Sequence, residues 1–178
     1  YSAGVKSGAI HVTAGTSLTQ AAGAGLHSHT RIGHGGFRSA SDALGAIKVG
    51  VGGGNLVLTG GTAHYAYSQI GHGATFDSTV TGLTFDGDIC VDVSGKVELL
   101  AQTSGGNGAH AQIGHGGRRA YGAYSGDITV TAGWDAGATD KGITLRGLTS
   151  SSKFAQIGHG GVYTDRTMTG DIRVAALN

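Results

Sequence analysis

Four histidines carry the strongest chemical pattern in this chain: His34, His72, His115 and His159, each within Ile-Gly-His-Gly. They stand 38, 43 and 44 residues apart, and Arg31, Gln69, Gln112 and Gln156 precede them at a fixed offset. Neutral imidazole suits Zn, Cu or Ni, so equivalent imidazoles first suggest metal. A closed metal site needs about four ligands converging on one point, whereas a ladder spaces them along an axis. Neither cysteine nor carboxylate accompanies the histidines at a constant offset. The pattern therefore favours a structural ladder, with no metal. Each neutral ring would give its N–H to a backbone carbonyl at a corner. Gln69, Gln112 and Gln156 form a parallel amide ladder beside it.

The remaining reactive groups point away from catalysis. Polysaccharide-cleaving sites need two clustered carboxylates. Here Glu98 is the only glutamate, and Asp88, Asp127 and Asp171 occupy equivalent places in successive repeats. Such aspartates read as turn residues bonding local backbone N–H groups. The chain has no Gly-x-Ser-x-Gly elbow, Walker loop or dinucleotide fingerprint. Gly52-Gly53-Gly54-Asn55-Leu56 lacks the aspartate of a calcium-binding nonapeptide. Cys90 alternates with Ile89 and Val91, which turns it outward, and no histidine sits at a fixed offset to activate it. We expect no catalytic residue, no enzymatic activity and no cofactor.

Strands must position these groups. Gly8-Ala-Ile10-His-Val12 recurs at Gly45, Gly87, Gly126 and Gly170, placing Ile10, Ile47, Ile89, Ile128 and Ile172 in equivalent positions. A second period-two segment is Leu56-Val57-Leu58, Val97-Glu98-Leu99 and Ile143-Thr144-Leu145, with Leu18 a degenerate version. The third ends in Ile-Gly-His-Gly, with Ile32, Ile70, Ile113 and Ile157 inward and the histidines on the same side. Alternation rich in β-branched residues means strands with one buried face. Repetition at about 40 residues means an array. Together these predict an all-β chain: a parallel β-helix, or β-solenoid, of about four repeats of 38–44 residues. The single repeat segment, residues 1–178, divides near 7–44, 45–86, 87–125 and 126–169, with a partial unit at 170–178.

Whether each unit makes one coil or two stays open. Single coils would bring Asp88, Asp127 and Asp171 to the strand spacing of about 4.8 Å, where like charges repel. Irregular spacing places one insertion at Gly133–Asp140 and another within Thr79–Asp86. Loops over a fixed scaffold accommodate such insertions.

Composition narrows the class. Glycine is 36 of 178 residues and proline is absent, which suits many short strands with corners and neighbours on both sides. Net charge is +1, so no global field gathers nucleic acid or anionic membrane. Apolar runs are too short to span a bilayer. The absence of an initial Met and a repeat still running at Asn178 suggest a fragment of a longer chain.

Two surfaces stand out. Gly33, Gly71, Gly114 and Gly158 fall on the outward side, as either a local backbone requirement or a bare strip where a partner approaches. Phe37, Arg38, Phe76, Arg118, Arg119, Tyr121, Tyr124, Tyr163 and Arg166 gather between the third strand and the next first strand. Tyr and Arg are common binding anchors, so these form the candidate binding face.

The Gly-Asp-Ile-x-Val strands with their glycine turns, clearest at Gly126-Asp127-Ile128-Thr129-Val130-Thr131-Ala132-Gly133, resemble repeats of filamentous-haemagglutinin-type bacterial adhesins. The Gln-Ile-Gly-His-Gly-Gly element resembles repeats of very large secreted proteins. These resemblances imply a right-handed β-helix exported to the bacterial surface. The combined expectation is an extracellular stalk, filament or fibre that self-associates end to end or laterally. The alternative is an adhesin binding a glycan or host receptor; a polysaccharide-active enzyme is the least favoured class.

Overall fold

The computed structural model describes residues 4–75, 81–102, 107–148, 152–164 and 166–177. Each unit folds into five short strands. In the first they are β1 (Lys6–Ser7), β2 (Ile10–Ala14), β3 (Leu18–Ala21), β4 (Thr30–Ile32) and β5 (Gly35–Phe37). The second has β6 (Ala43–Leu44), β7 (Ile47–Val51), β8 (Leu56–Thr59), β9 (Ser68–Ile70) and β10 (Gly73–Thr75). The third has β11 (Leu83–Asp86), β12 (Ile89–Val93), β13 (Lys96–Leu100), β14 (Ala111–Ile113) and β15 (Gly116–Arg118). The fourth has β16 (Gly122–Ser125), β17 (Ile128–Ala132), β18 (Gly142–Arg146), β19 (Ala155–Ile157) and β20 (Gly160–Val162). Finally, β21 (Ile172–Ala176) continues the pattern. No helix among the described residues is long and apolar enough to cross a membrane.

Every paired strand runs parallel to the equivalent strand one unit away. The longest sheet has the order β2-β7-β12-β17-β21. Its register sets Ile10, Ile47, Ile89, Ile128 and Ile172 side by side in one column. The sheets β18-β13-β8-β3 and β19-β14-β9-β4 are built in the same way. Each unit therefore contributes one layer, which decides between the two arrangements open in the sequence. Consecutive strands of one unit lie in different sheets, the arrangement expected of a parallel β-helix.

Three of these sheets share one core. Ile47, Val49, Leu56, Leu58, Ile70, Ile89, Val91, Val97, Leu99, Ile113, Ile128 and Val130 are buried together in it. Full burial of one such side chain is worth about 1.5–3 kcal/mol, and stacking supplies it in every inner layer. In the outermost strand, β21, Ile172 and Val174 are about half exposed. Corners are closed by side chains from neighbouring layers: Ser17 Oγ accepts the Asn55 N–H at 3.1 Å, and Asn55 Oδ1 accepts the Lys96 N–H at 2.8 Å.

Two features differ from expectation. Leu83–Asp86, within the segment assigned to a loop insertion, is strand β11, paired with β6 and β16. It buries Phe85 against Tyr124 in a second apolar cluster with Ala43 and Ala120. Residues Thr79 and Val80 of that insertion lie outside the described residues. The aspartates lie in adjacent layers, and the Asp88 and Asp127 carboxylates bond the backbone of the next layer. Asp88 Oδ1 accepts the Asp127 N–H at 2.9 Å, and Asp127 Oδ1 accepts the Asp171 N–H at 2.8 Å. Their bonds thus run between layers rather than within a local turn.

Candidate functional site

The strands β4, β9, β14 and β19 lead into the repeated histidines, and in the inner layers, β9 and β14, both faces are buried. On the inner face Ile70 and Ile113 are fully buried. Two residues later the chain turns, and the four imidazoles stack in one column. Successive ring centroids are 5.0, 4.8 and 4.9 Å apart, with planes 10°, 2° and 15° from parallel. His72 and His115 are fully buried and His159 is 8% exposed, while His34 in the first layer is half-buried.

Three of the rings, His72, His115 and His159, are each fixed by two backbone partners, and His34 by one. The His34 N–H donates to His72 Nδ1 at 2.9 Å, His72 N–H to His115 Nδ1 at 2.9 Å, and His115 N–H to His159 Nδ1 at 3.2 Å. Because Nδ1 accepts in these three rings, their proton must sit on Nε2. Nε2 then donates to a carbonyl at the entrance of the first strand: Gly45 for His72, Gly87 for His115 and Gly126 for His159, at 2.7, 2.7 and 2.9 Å. His34 Nε2 lies 3.0 Å from the Gly8 carbonyl in the same way. The column thus joins neighbouring layers through one nitrogen and closes its own layer through the other.

Burial holds these rings neutral. It lowers the His72 pKa to about 4 and the His115 pKa to about 3, and also lowers His159. The carbonyl bonds pull the other way without reversing it, while ring neighbours push His72 and His115 further down. A protonated ring would also turn Nδ1 into a donor facing a backbone N–H. The rings lie along an axis, and no group of three or more His, Cys, Asp or Glu among the described residues is arranged to hold a metal ion.

The amide ladder lies on the opposite face. Gln112 Nε2 donates to the Gly158 and Gly160 carbonyls of the next layer at 3.0 and 2.9 Å. Gln69 Nε2 does the same to Gly114 at 2.8 Å, and Gln156 turns back to the His159 carbonyl at 2.9 Å. Arg31 replaces the amide in the first layer, donating to the carbonyls of His34 and Gly73 and to the Tyr67 hydroxyl. This face is not the bare outward strip expected from alternation: Gln69, Gln112, Gly71 and Gly114 are buried. The glycines answer to the backbone. At Gly114, φ is +148° and a Cβ would lie 1.9 Å from the Gly158 carbonyl oxygen.

Preceding the strands β4, β9, β14 and β19 is a second ring column that the sequence reading missed, and its Tyr67 meets Arg31. His29, Tyr67, His110 and Phe154, five residues before the motif histidines, stack at 4.9, 5.0 and 4.5 Å. His110 is fully buried, with Nδ1 3.0 Å from the Gly108 carbonyl and Nε2 without a hydrogen-bond partner. Burial lowers its pKa to about 4. The fixed offset was the available signal, hidden because the ring type varies.

The comparisons add no identity. Family models, curated proteins and solved structures all return no match for this chain.

The candidate binding face divides. Tyr124 is buried against Phe85, so it is a core residue rather than a surface anchor. Arg118 is 8% exposed, its guanidinium 4.6 Å from the Tyr65 ring centre and 5.5 Å from that of Tyr163. It is held by ring faces rather than extended to solvent. Phe37 and Tyr121 are half-buried, Phe37 against His27 at 4.0 Å. Arg38, Tyr163 and Arg166 are exposed, Arg119 is half-buried, and Phe76 lies outside the described residues.

Proposed function

We propose that this chain forms a right-handed parallel β-helix of about four repeats. Its role is mechanical: an extracellular, non-catalytic stalk, filament or surface fibre that self-associates. The observation carrying this reading is that the motif histidines and Gln69 and Gln112 spend their hydrogen bonds on backbone, much of it in a neighbouring layer. Side chains committed in this way transmit load and register along the stack and leave little for chemistry. The resemblance to filamentous-haemagglutinin-type repeats agrees with that role and suggests a bacterial surface. Electron microscopy of the purified chain tests it: ordered fibres with strands perpendicular to the long axis are expected. A strictly monomeric chain that depolymerises a polysaccharide would reject it.

A second reading, adhesion to a receptor or glycan through the loops, is favoured by one observation. Tyr163 is 61% exposed, with the guanidinium of Arg119 5.5 Å from its ring centre. Cell-surface attachment lost on Tyr163→Ala, without loss of fibres, would favour that reading.

A further inference from the structure

The fourth unit carries an insertion that the others lack, between β17 and β18. Its backbone is tied to the third layer: the Gly133 N–H donates to the carbonyls of Val93 and Gly95 at 3.0 and 2.8 Å. The Asp135 N–H reaches the Ser94 carbonyl at 3.3 Å, and Asp135 Oδ1 accepts the Gly137 N–H at 2.9 Å. These bonds fix the loop that presents Trp134, the only tryptophan, 49% exposed at the outer face of the first-strand sheet. A half-exposed indole on an anchored loop gives up much of the stabilisation that burial would supply.

Beside it runs a groove of about 480 Å³ lined by Thr13, Lys48, Gly50, Asp92, Thr131 and Trp134, together with Val51 and Gly52. That volume lies within the range of small-ligand sites. Register explains its shape. Thr13, Gly50, Asp92 and Thr131 are consecutive partners in one column across four strands. At about 4.8 Å per strand the column is roughly 14 Å long. Gly50 leaves it low in the middle, and a Cβ built there would meet nothing within 4 Å. Neither packing nor φ requires glycine at that position.

The chemistry of the walls selects a ligand. A flat indole attracts polarised C–H bonds to its face. Most of the exposed wall is apolar, which suits the C–H face of a sugar ring, and two threonine hydroxyls and a carboxylate are its few hydrogen-bonding groups for ligand hydroxyls. Lys48 and Asp92 carry opposite charges, so the groove favours neither a polyanion nor a polycation. The Cys90 thiol occupies Asp92 Oδ2 at 3.4 Å, which leaves the other oxygen for a ligand.

We propose that this groove binds a neutral saccharide chain laid along the stack, with one pyranose face on Trp134 and ring hydroxyls on Asp92, Thr131 and Thr13. The site is separate from the loop surface around Tyr163 and does not depend on self-association.

Because Trp134 is the only tryptophan, its fluorescence reports this groove alone. The full chain is titrated separately with cellohexaose, mannohexaose and chitohexaose. A saturable change in emission is expected with at least one of them. Gly50→Leu should weaken that binding at least about tenfold, by filling the groove floor without meeting backbone, and far-ultraviolet circular dichroism should stay unchanged. Should that variant fail to fold, Asp92→Ala is expected to weaken the same binding. No saturable change with any of the three sugars overturns the proposal, as does equal binding by the folded variant. Saturation by an apolar dye but by none of the sugars would also overturn it, assigning the groove to an apolar ligand.

Discussion

The two ring columns of the third sheet occupy opposite faces and start only five residues apart, yet they follow different rules. One is histidine in all four layers; the other runs His29, Tyr67, His110, Phe154. In the first column both ring nitrogens of His72, His115 and His159 have backbone partners, so those rings must accept on one side and donate on the other. Among the side chains, only a neutral imidazole does both in one flat ring. In the second column Phe154 has no polar atom and His110 leaves Nε2 unpaired. Its polar contacts differ from layer to layer: His29 and His110 each place Nδ1 near a carbonyl two residues back, and the Tyr67 hydroxyl accepts from Arg31. Stacking is the contact all four layers share, so the repeated position is fixed in type where it bonds the backbone of the next layer and varies in type where the shared demand is ring area.

Acidification should have the largest effect. His72, His115 and His110 have folded pKa values lowered to about 4, 3 and 4. The unfolded chain, near 6.5, is therefore the better proton binder. Stability from these rings is full above about pH 6.5 and is lost as pH falls through 4 towards 3. Each tenfold difference in proton affinity is about 1.4 kcal/mol, so several kcal/mol in total should disappear. Urea midpoints measured from pH 7.5 to pH 4 check this, and stability independent of pH would break it.

Substitution separates the columns. His115→Phe keeps ring area but strands the buried His72 N–H and deprives the half-buried Gly87 carbonyl of its ring partner. The unpaired N–H costs about 1–3 kcal/mol and the carbonyl, partly open to water, costs less, so roughly 1–4 kcal/mol should be lost. His110→Phe, in the mixed column, removes an unpaired Nε2 and gives up one bond to Gly108. It should change stability by less than about 1 kcal/mol, in either direction. Chemical denaturation of both variants at pH 7.5 makes the comparison. Equal losses would erase the distinction between the columns.

Much of this architecture was legible. The Gly-x-Ile-x-Val strings gave the register of the longest sheet, and Ile32, Ile70, Ile113 and Ile157 located the third. The strands β1, β6, β11 and β16 were not legible, because Lys6–Ser7, Ala43–Leu44, Leu83–Asp86 and Gly122–Ser125 share no pattern. Their pairing follows from neighbours that hold the layers in phase. The burial of Gln69, Gln112 and the glycines was misread for another reason. Alternation implies one wet face, but a strand covered on both sides can carry polar residues outward when they bond backbone. Tyr124 and Arg118 were misplaced because their segments, expected to be loops, are strands β16 and β15, and both side chains are buried.

The central claim is that His72, His115 and His159 are neutral and carry their proton on Nε2. Two-bond proton–nitrogen correlation spectra of the imidazoles, recorded from pH 8 to pH 5, test it most directly. The account predicts that His72 and His115 show an unprotonated Nδ1 and a protonated Nε2 throughout. Protonated Nδ1, or titration of these two rings with a midpoint near 6.5, would contradict it.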